Sequence, residues 1–153
     1  MSVEDTLQSM GLTLPQPARP VASYVPAVRV GNLVYTSGQI PTRNGQLTHR
    51  GQVGLEVTED DAYHEAQTCA LNALAAIKAL VGSLDAITQV VKVTGYVNSA
   101  DGFTGQPTVV NGASDLLVKL FGDRGRHARS AVGVAELPLD AAVEVELIVE
   151  VGG

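Results

Sequence analysis

The sequence predicts an α+β domain: one largely antiparallel sheet with two helices packed on one of its faces. Three observations carry this. Strand-like and helix-like segments follow one another as β-β-α-β-α-β-β, without βαβ units at constant spacing. Two segments, 58–81 and 108–121, repeat apolar residues at helical spacing. The last segment, 143–151, alternates apolar and acidic residues, the pattern of a strand with one buried face. At 153 residues the chain has the length of one domain. It can bury roughly two thirds of the surface its unfolded form exposes, so neither disulfide nor metal is needed as a staple.

Residues 2–10 predict a short helix, with Ser2 as N-cap, Glu4 and Asp5 in the first turn and Gly11 ending it. Pro15, Pro17 and Pro20 make residues 12–23 an extended arm. Val28-Arg29-Val30 and Leu33 through Ser37 read as a hairpin around Gly31-Asn32. Gly38 and Pro41 break it, and residues 42–57 read as a loop with one short strand near Gln46-Leu47-Thr48. Thr58 caps the clearest helix, whose apolar face (Ala62, Ala66, Cys69, Ala70, Ala73, Leu74, Ile77) is rich in Ala and so permits close approach to a partner. Gly82 closes that helix, and Val90–Val97 is a β-branched strand. The second helix carries Val109, Val110, Ala113, Leu116, Leu117, Leu120 and Phe121 on its apolar face. Gly122 through His127 reads as a mobile loop, and strands at 131–135 and 143–151 flank a turn at Leu137–Asp140.

Composition removes several classes. Hydrophobic residues are 45% and charged residues 17%, which describes a globular chain. The low charge predicts that part of the weakly polar surface is covered in an oligomer. A net charge of −6 and the absence of Trp argue against binding a phosphate backbone or stacking bases, so a nucleic-acid partner is not expected. The single cysteine, Cys69, rules out an intrachain disulfide and a Cys-rich zinc site, and it reads as a small buried hydrophobe. His49, His64 and His127 show no metal-ligand spacing, so no metal is expected. No apolar run reaches ~18 residues, so no membrane helix is expected. The acidic start lacks a signal-peptide pattern, and the expected location is the cytoplasm.

Arg129 stands between a glycine-rich loop and an apolar strand. A guanidinium there can hold a planar carboxylate through two parallel hydrogen bonds, or it can be structural, capping loop carbonyls or pairing with an acid. Glu144, Glu146 and Glu150 share one strand face. Such a row is either a solvated face or, at a subunit interface, the source of a half-buried acid or base. Ser37-Gly38 ends a strand where a glycine would let a ligand approach the backbone, or is a simple turn. Tyr24 is a pocket wall or a packing residue. Asn111, early in the second helix, is internally satisfied or reaches a ligand.

Together, Gly31 through Pro41, Val90-Val91-Lys92-Val93-Thr94, and Ala128-Arg129-Ser130 through Leu137-Pro138 to Val143-Glu144-Val145 resemble the Rid family, also called YjgF-type or L-PSP endoribonuclease-like. The resemblance spans roughly residues 22–151 as one domain, with 1–21 as an N-terminal extension. It implies a chorismate-mutase-like fold, a homotrimer with clefts between subunits, and no cofactor. In deaminase members an Arg holds the carboxylate of a 2-imino or 2-enamino acid, and water hydrolyses the imine to a 2-keto acid and ammonia.

By motif, Arg129 matches that Arg and Glu144 the acid beside the catalytic water. Ser37, Gly38, Tyr24 and Asn111 match cleft residues. Ala131 stands where many deaminase members carry Cys, and His127 where Pro is common. Arg124 and Arg126 are candidates for contacting a larger anionic ligand. The expected function is therefore a hydrolytic deaminase of reactive imino acids. The alternative is a non-catalytic trimer that binds small carboxylates, and the charge counts against the endoribonuclease activity in the family's name.

Overall fold

The computed structural model describes residues 1–17, 19 and 22–153. Pro20, one of the three prolines of the expected arm, lies outside the described residues. Helix α1 (Val3–Ser9) opens the chain and strands β1 (Ala27–Val30) and β2 (Leu33–Thr36) form the first hairpin. A small two-stranded ribbon follows, β3 (Thr42–Arg43) and β4 (Gln46–Leu47). Then come α2 (Glu59–Val81), β5 (Ile87–Asn98), α3 (Gln106–Phe121), β6 (Ala128–Val134) and β7 (Val143–Val151). The five-stranded sheet has the order β1-β2-β7-β5-β6.

The sheet is antiparallel except at one edge, where β5 and β6 run parallel. That pair is a local βαβ unit, because the connection between its strands is long enough to hold α3. Residues Val143, Val145, Leu147, Val149 and Val151 face the helices and are buried, as the alternation of β7 predicts. On β5 both Val90 and Val93 are buried although three residues apart. A register shift between Val90 and Lys92 absorbs the extra residue, which leaves Val91 exposed.

Both long helices cover the same face of the sheet, and α3 lies close against α2. Gly112 is the reason. A Cβ at this position would collide with the Tyr63 carbonyl oxygen and crowd Ala66, so only glycine lets the two backbones meet. The N-terminal helix has the capping box that its sequence announces, with Ser2 Oγ accepting from Asp5 N at 3.0 Å. It docks on α3 and on the turn before β5. Val3 and Leu7 enter the same core cluster as the sheet residues, and Glu4 accepts a hydrogen bond from Leu84 N.

The glycine-rich segment after α3 differs from the expected mobile loop. Residues Gly122–Gly125 form a 3-10 turn. Arg124 Nη1 donates to the Ile87 carbonyl at 2.9 Å, Gly125 is buried against Leu117, and Gln89 Nε2 donates to the Arg126 carbonyl. One backbone carbonyl of β5, at Ile87, and one of its side chains, Gln89, therefore tie the turn down.

The open face of the sheet keeps Val28, Val30, Tyr35 and Val132 exposed. No helix of the described residues is long and apolar enough to cross a membrane. Replacing Gly112 with Ala tests the helix contact: overpacking against backbone is expected to cost about 1–3 kcal/mol in urea denaturation. A change within about 0.5 kcal/mol would show that α2 and α3 can separate freely.

Candidate functional site

Arg129 lies on β6 opposite Val93 of β5, so its side chain leaves the sheet on the helix side. There Nη1 donates to Asn111 Oδ1 at 2.7 Å and to Ser114 Oγ at 3.2 Å, both on α3. No carboxylate lies within ion-pair distance of Arg129 among the described residues. Its Nε and Nη2 donors have no hydrogen-bond partner there either. A half-buried guanidinium with one end anchored by neutral groups and its flat edge unpaired is suited to a planar anion. Ala131 follows two residues on, on the same face, and packs against the core.

Glu144 lies opposite Tyr96 on β5, and its side chain leaves the other face of the sheet. The three acids of β7 are not equivalent. Thr88 Oγ1 donates to Glu150 at 2.7 Å, and Tyr96 Oη donates to Glu146 at 2.8 Å. That bond holds the Tyr96 proton and pushes its pKa up to about 12. Glu144 accepts no hydrogen bond among the described residues. Burial, then the neighbouring Glu146 charge, raises its pKa above the ordinary carboxylate value.

Gly38 makes room for it. Gln39 bridges to Val145, which sets Gly38 beside Glu144, and a Cβ on residue 38 would collide with the Glu144 carboxyl. What approaches this glycine is thus an acid of the same chain. Ser37 Oγ donates to the Val25 carbonyl at 2.6 Å and its N–H to Pro26 at 2.8 Å. These bonds fix the segment carrying Tyr24, whose side chain is exposed.

The structure therefore assembles two groups of the expected residues. Arg129, Asn111 and Ala131 gather between β6 and α3. Glu144, Gly38, Ser37 and the backbone beside Tyr24 gather where β2 ends and β7 begins. Strand β5 separates β6 from β7, and the side chains of Arg129 and Glu144 leave opposite faces, so one chain does not bring them together.

The family model described as "YjgF/chorismate_mutase-like, putative endoribonuclease" matches residues 4–151, which takes in the N-terminal helix as well as the domain. The chain belongs to the YjgF/Rid family. It is 44% identical over 149 residues to protein TCP17 of Trypanosoma cruzi, covering 97% of this chain and 93% of that one. It is 34% identical over 138 residues to a 2-iminobutanoate/2-iminopropanoate deaminase of Dermatophagoides farinae, covering 90% and 93%. Among solved structures it is similar to protein Atu1372 of Agrobacterium tumefaciens, whose function is unknown. That match has a TM-score of 0.90 at 44% identity and covers 98% and 92% of the two chains.

Two residues of this family member escape sequence reasoning as partners of Arg129. Ser114 touches Arg129 directly, and His127 Nε2 lies 2.9 Å from Ser114 Oγ. The only sequence signal was the proximity of His127 to Arg129. Arg124 holds the 3-10 turn to the Ile87 carbonyl, and Arg126, exposed, pairs with Asp123 at 3.5 Å. Cys69 is buried, and burial pushes its thiol pKa well up, which makes it inert. No cluster of metal-ligating side chains converges among the described residues.

Burial, reinforced by the Arg129 charge, lowers the His127 pKa below 6.5, against a smaller opposing effect of its bond to the Gly125 carbonyl. The unfolded chain therefore binds this proton more readily than the folded one. Stability contributed by neutral His127 is present above 6.5 and lost as pH falls through the lower folded value. Denaturant midpoints measured along this acid limb should fall less steeply in His127→Gln than in the wild type. Parallel slopes would show that His127 is solvated like a free imidazole.

Proposed function

We propose that this protein is a hydrolytic deaminase of reactive 2-imino and 2-enamino acids, working as a homotrimer with its clefts between subunits. The observation that carries the reading is Arg129, a half-buried cation whose Nη1 is anchored by Asn111 and Ser114 while its other donors stay free among the described residues. Those donors match the two oxygens of an α-carboxylate. The deaminase relative from Dermatophagoides farinae, at 34% identity, supports the substrate class.

The chemistry asks little more of the protein. With its carboxylate on Arg129, the substrate is fixed with its imine carbon presented to a water. Glu144, half-buried and holding its proton to higher pH than usual, is suited to take a proton from that water and return it to the leaving nitrogen. The C=N bond is exchanged for C=O, and water supplies the oxygen as ammonia departs.

Because Arg129 and Glu144 leave opposite faces of one sheet, the cleft needs Arg129 from one subunit and Glu144 from the next. The exposed apolar residues of the open face, with Val30 65% exposed, are the surface such an assembly would cover. A trimer that binds small carboxylates without turnover is the second reading. It is favoured by Ala131, whose methyl group beside Arg129 can carry no proton.

An amino-acid oxidase supplying 2-imino acids, with semicarbazide as the trap, tests turnover. Wild-type protein should suppress trapping. Arg129→Ala should lower kcat/KM by about a hundredfold or more, the loss expected for one partner of a desolvated ion pair. Glu144→Gln should lower kcat by about a hundredfold, as for a lost general acid–base. Unchanged trapping with wild-type protein would overturn the deaminase reading. Separately, light scattering at micromolar concentration should give three times the chain mass, and a monomeric mass would overturn the intersubunit cleft.

A further inference from the structure

The partners of Arg129 form a hydrogen-bond chain with one consistent direction. His127 Nδ1 lies 2.6 Å from the Gly125 carbonyl, which can only accept, so Nδ1 carries a proton. In the neutral ring Nε2 is then an acceptor. Ser114 Oγ, 2.9 Å from Nε2, donates to it and keeps its lone pairs for Arg129 Nη1. Burial and the nearby Arg129 charge favour the neutral ring.

The charged groups around the imidazole are few. Arg129 lies two residues on, in β6, which begins just after His127. Arg126 and Asp123, in the adjoining turn, pair with each other. Lys92 of β5 lies opposite Ala128, on the open face of the sheet. Asp115 of α3 accepts from Tyr63 Oη at 2.7 Å. The guanidinium is thus oriented by groups that carry no negative charge, and none of them competes with an incoming anion.

We propose that Ser114 and His127 are positioning residues for Arg129, and that the Gly125–His127–Ser114–Arg129 chain sets how tightly this site holds a carboxylate. The inference rests on the imino-acid reading for the identity of the ligand, and it names two residues that act through the arginine. His127 fixes which way the Ser114 proton points. Ser114, with Asn111, fixes the plane of the guanidinium so that its Nε and Nη2 edge faces outward.

The test is calorimetric titration of the full-length assembled protein with 2-oxobutanoate, a 2-keto acid of the product class, beside the imine-trapping kinetics. Ser114→Ala and His127→Phe should each weaken binding about tenfold, the loss expected for a hydrogen bond to a charged group. KM should rise equally and kcat stay within about twofold, because the carboxylate is held in both ground and transition states. Ser114→Thr, which keeps the hydroxyl, should bind as the wild type does. The 15N spectrum of the His127 ring should show the Nδ1-protonated tautomer.

Wild-type affinity in both Ser114→Ala and His127→Phe, with binding lost in Arg129→Ala, would overturn the inference and leave the functional reading standing. A fall in kcat at unchanged affinity would also overturn it. A wild-type protein that neither binds 2-oxobutanoate nor hydrolyses imines would overturn the functional reading, and this inference with it.

Discussion

A cation taken partly out of water without a counter-charge is costly to maintain, and proteins usually satisfy it with an acid. Here the acid is absent among the described residues, and Arg129 is braced by an amide and a hydroxyl from α3. Much of the surrounding architecture serves that placement. The parallel β5–β6 pair sets Arg129 beneath α3. Gly112 lets α3 settle against α2, and Gly95 on β5 lies directly under Val110. The 3-10 turn at Gly122–Gly125, tied to Ile87 by Arg124, delivers His127 beside Ser114.

The second group of candidate residues follows a different logic. Glu144 belongs to a strand whose helix-facing side chains are all buried, and it shares the open face with Tyr96. The two other acids on that face, Glu146 and Glu150, accept from donors on β5, which leaves Glu144 the acid of β7 with spare capacity among the described residues. Gly38 gives its carboxyl space without giving it a partner. On the proposed reading, with one candidate group on each face of the sheet, the cleft is completed by another copy. The exposed apolar residues of the open face are consistent with such contact.

The sequence was most informative where periodicity or capping chemistry is strong. The alternation in 143–151 and the helical spacing from Thr58 locate the core strand and the long helix directly. Arg129 was visible because it interrupts a glycine-rich stretch at the start of an apolar strand. Glu144 could not be told from Glu146 and Glu150, since alternation puts all three on one face. The distinction comes from Tyr96 and Thr88, donors on a strand some fifty residues or more away. The partnership of Ser114 with His127 was hidden for a related reason. It depends on β6 returning parallel to β5, and no local pattern encodes strand order. The turn at 122–125 is legible as a break in helix, while its anchoring comes from long-range bonds to β5. The helix at 3–9 was legible from its cap, whereas its docking through Val3 and Leu7 was not.

A crystal structure of the protein with 2-oxobutanoate would locate the bound carboxylate and the assembly together. Three copies should surround one axis, with the ligand's carboxylate on the Nε and Nη2 edge of Arg129. The Glu144 carboxyl of the neighbouring copy should lie within reach of a water beside the keto carbon. A ligand seated away from Arg129, or an assembly that leaves Arg129 and Glu144 apart, would contradict the proposed cleft.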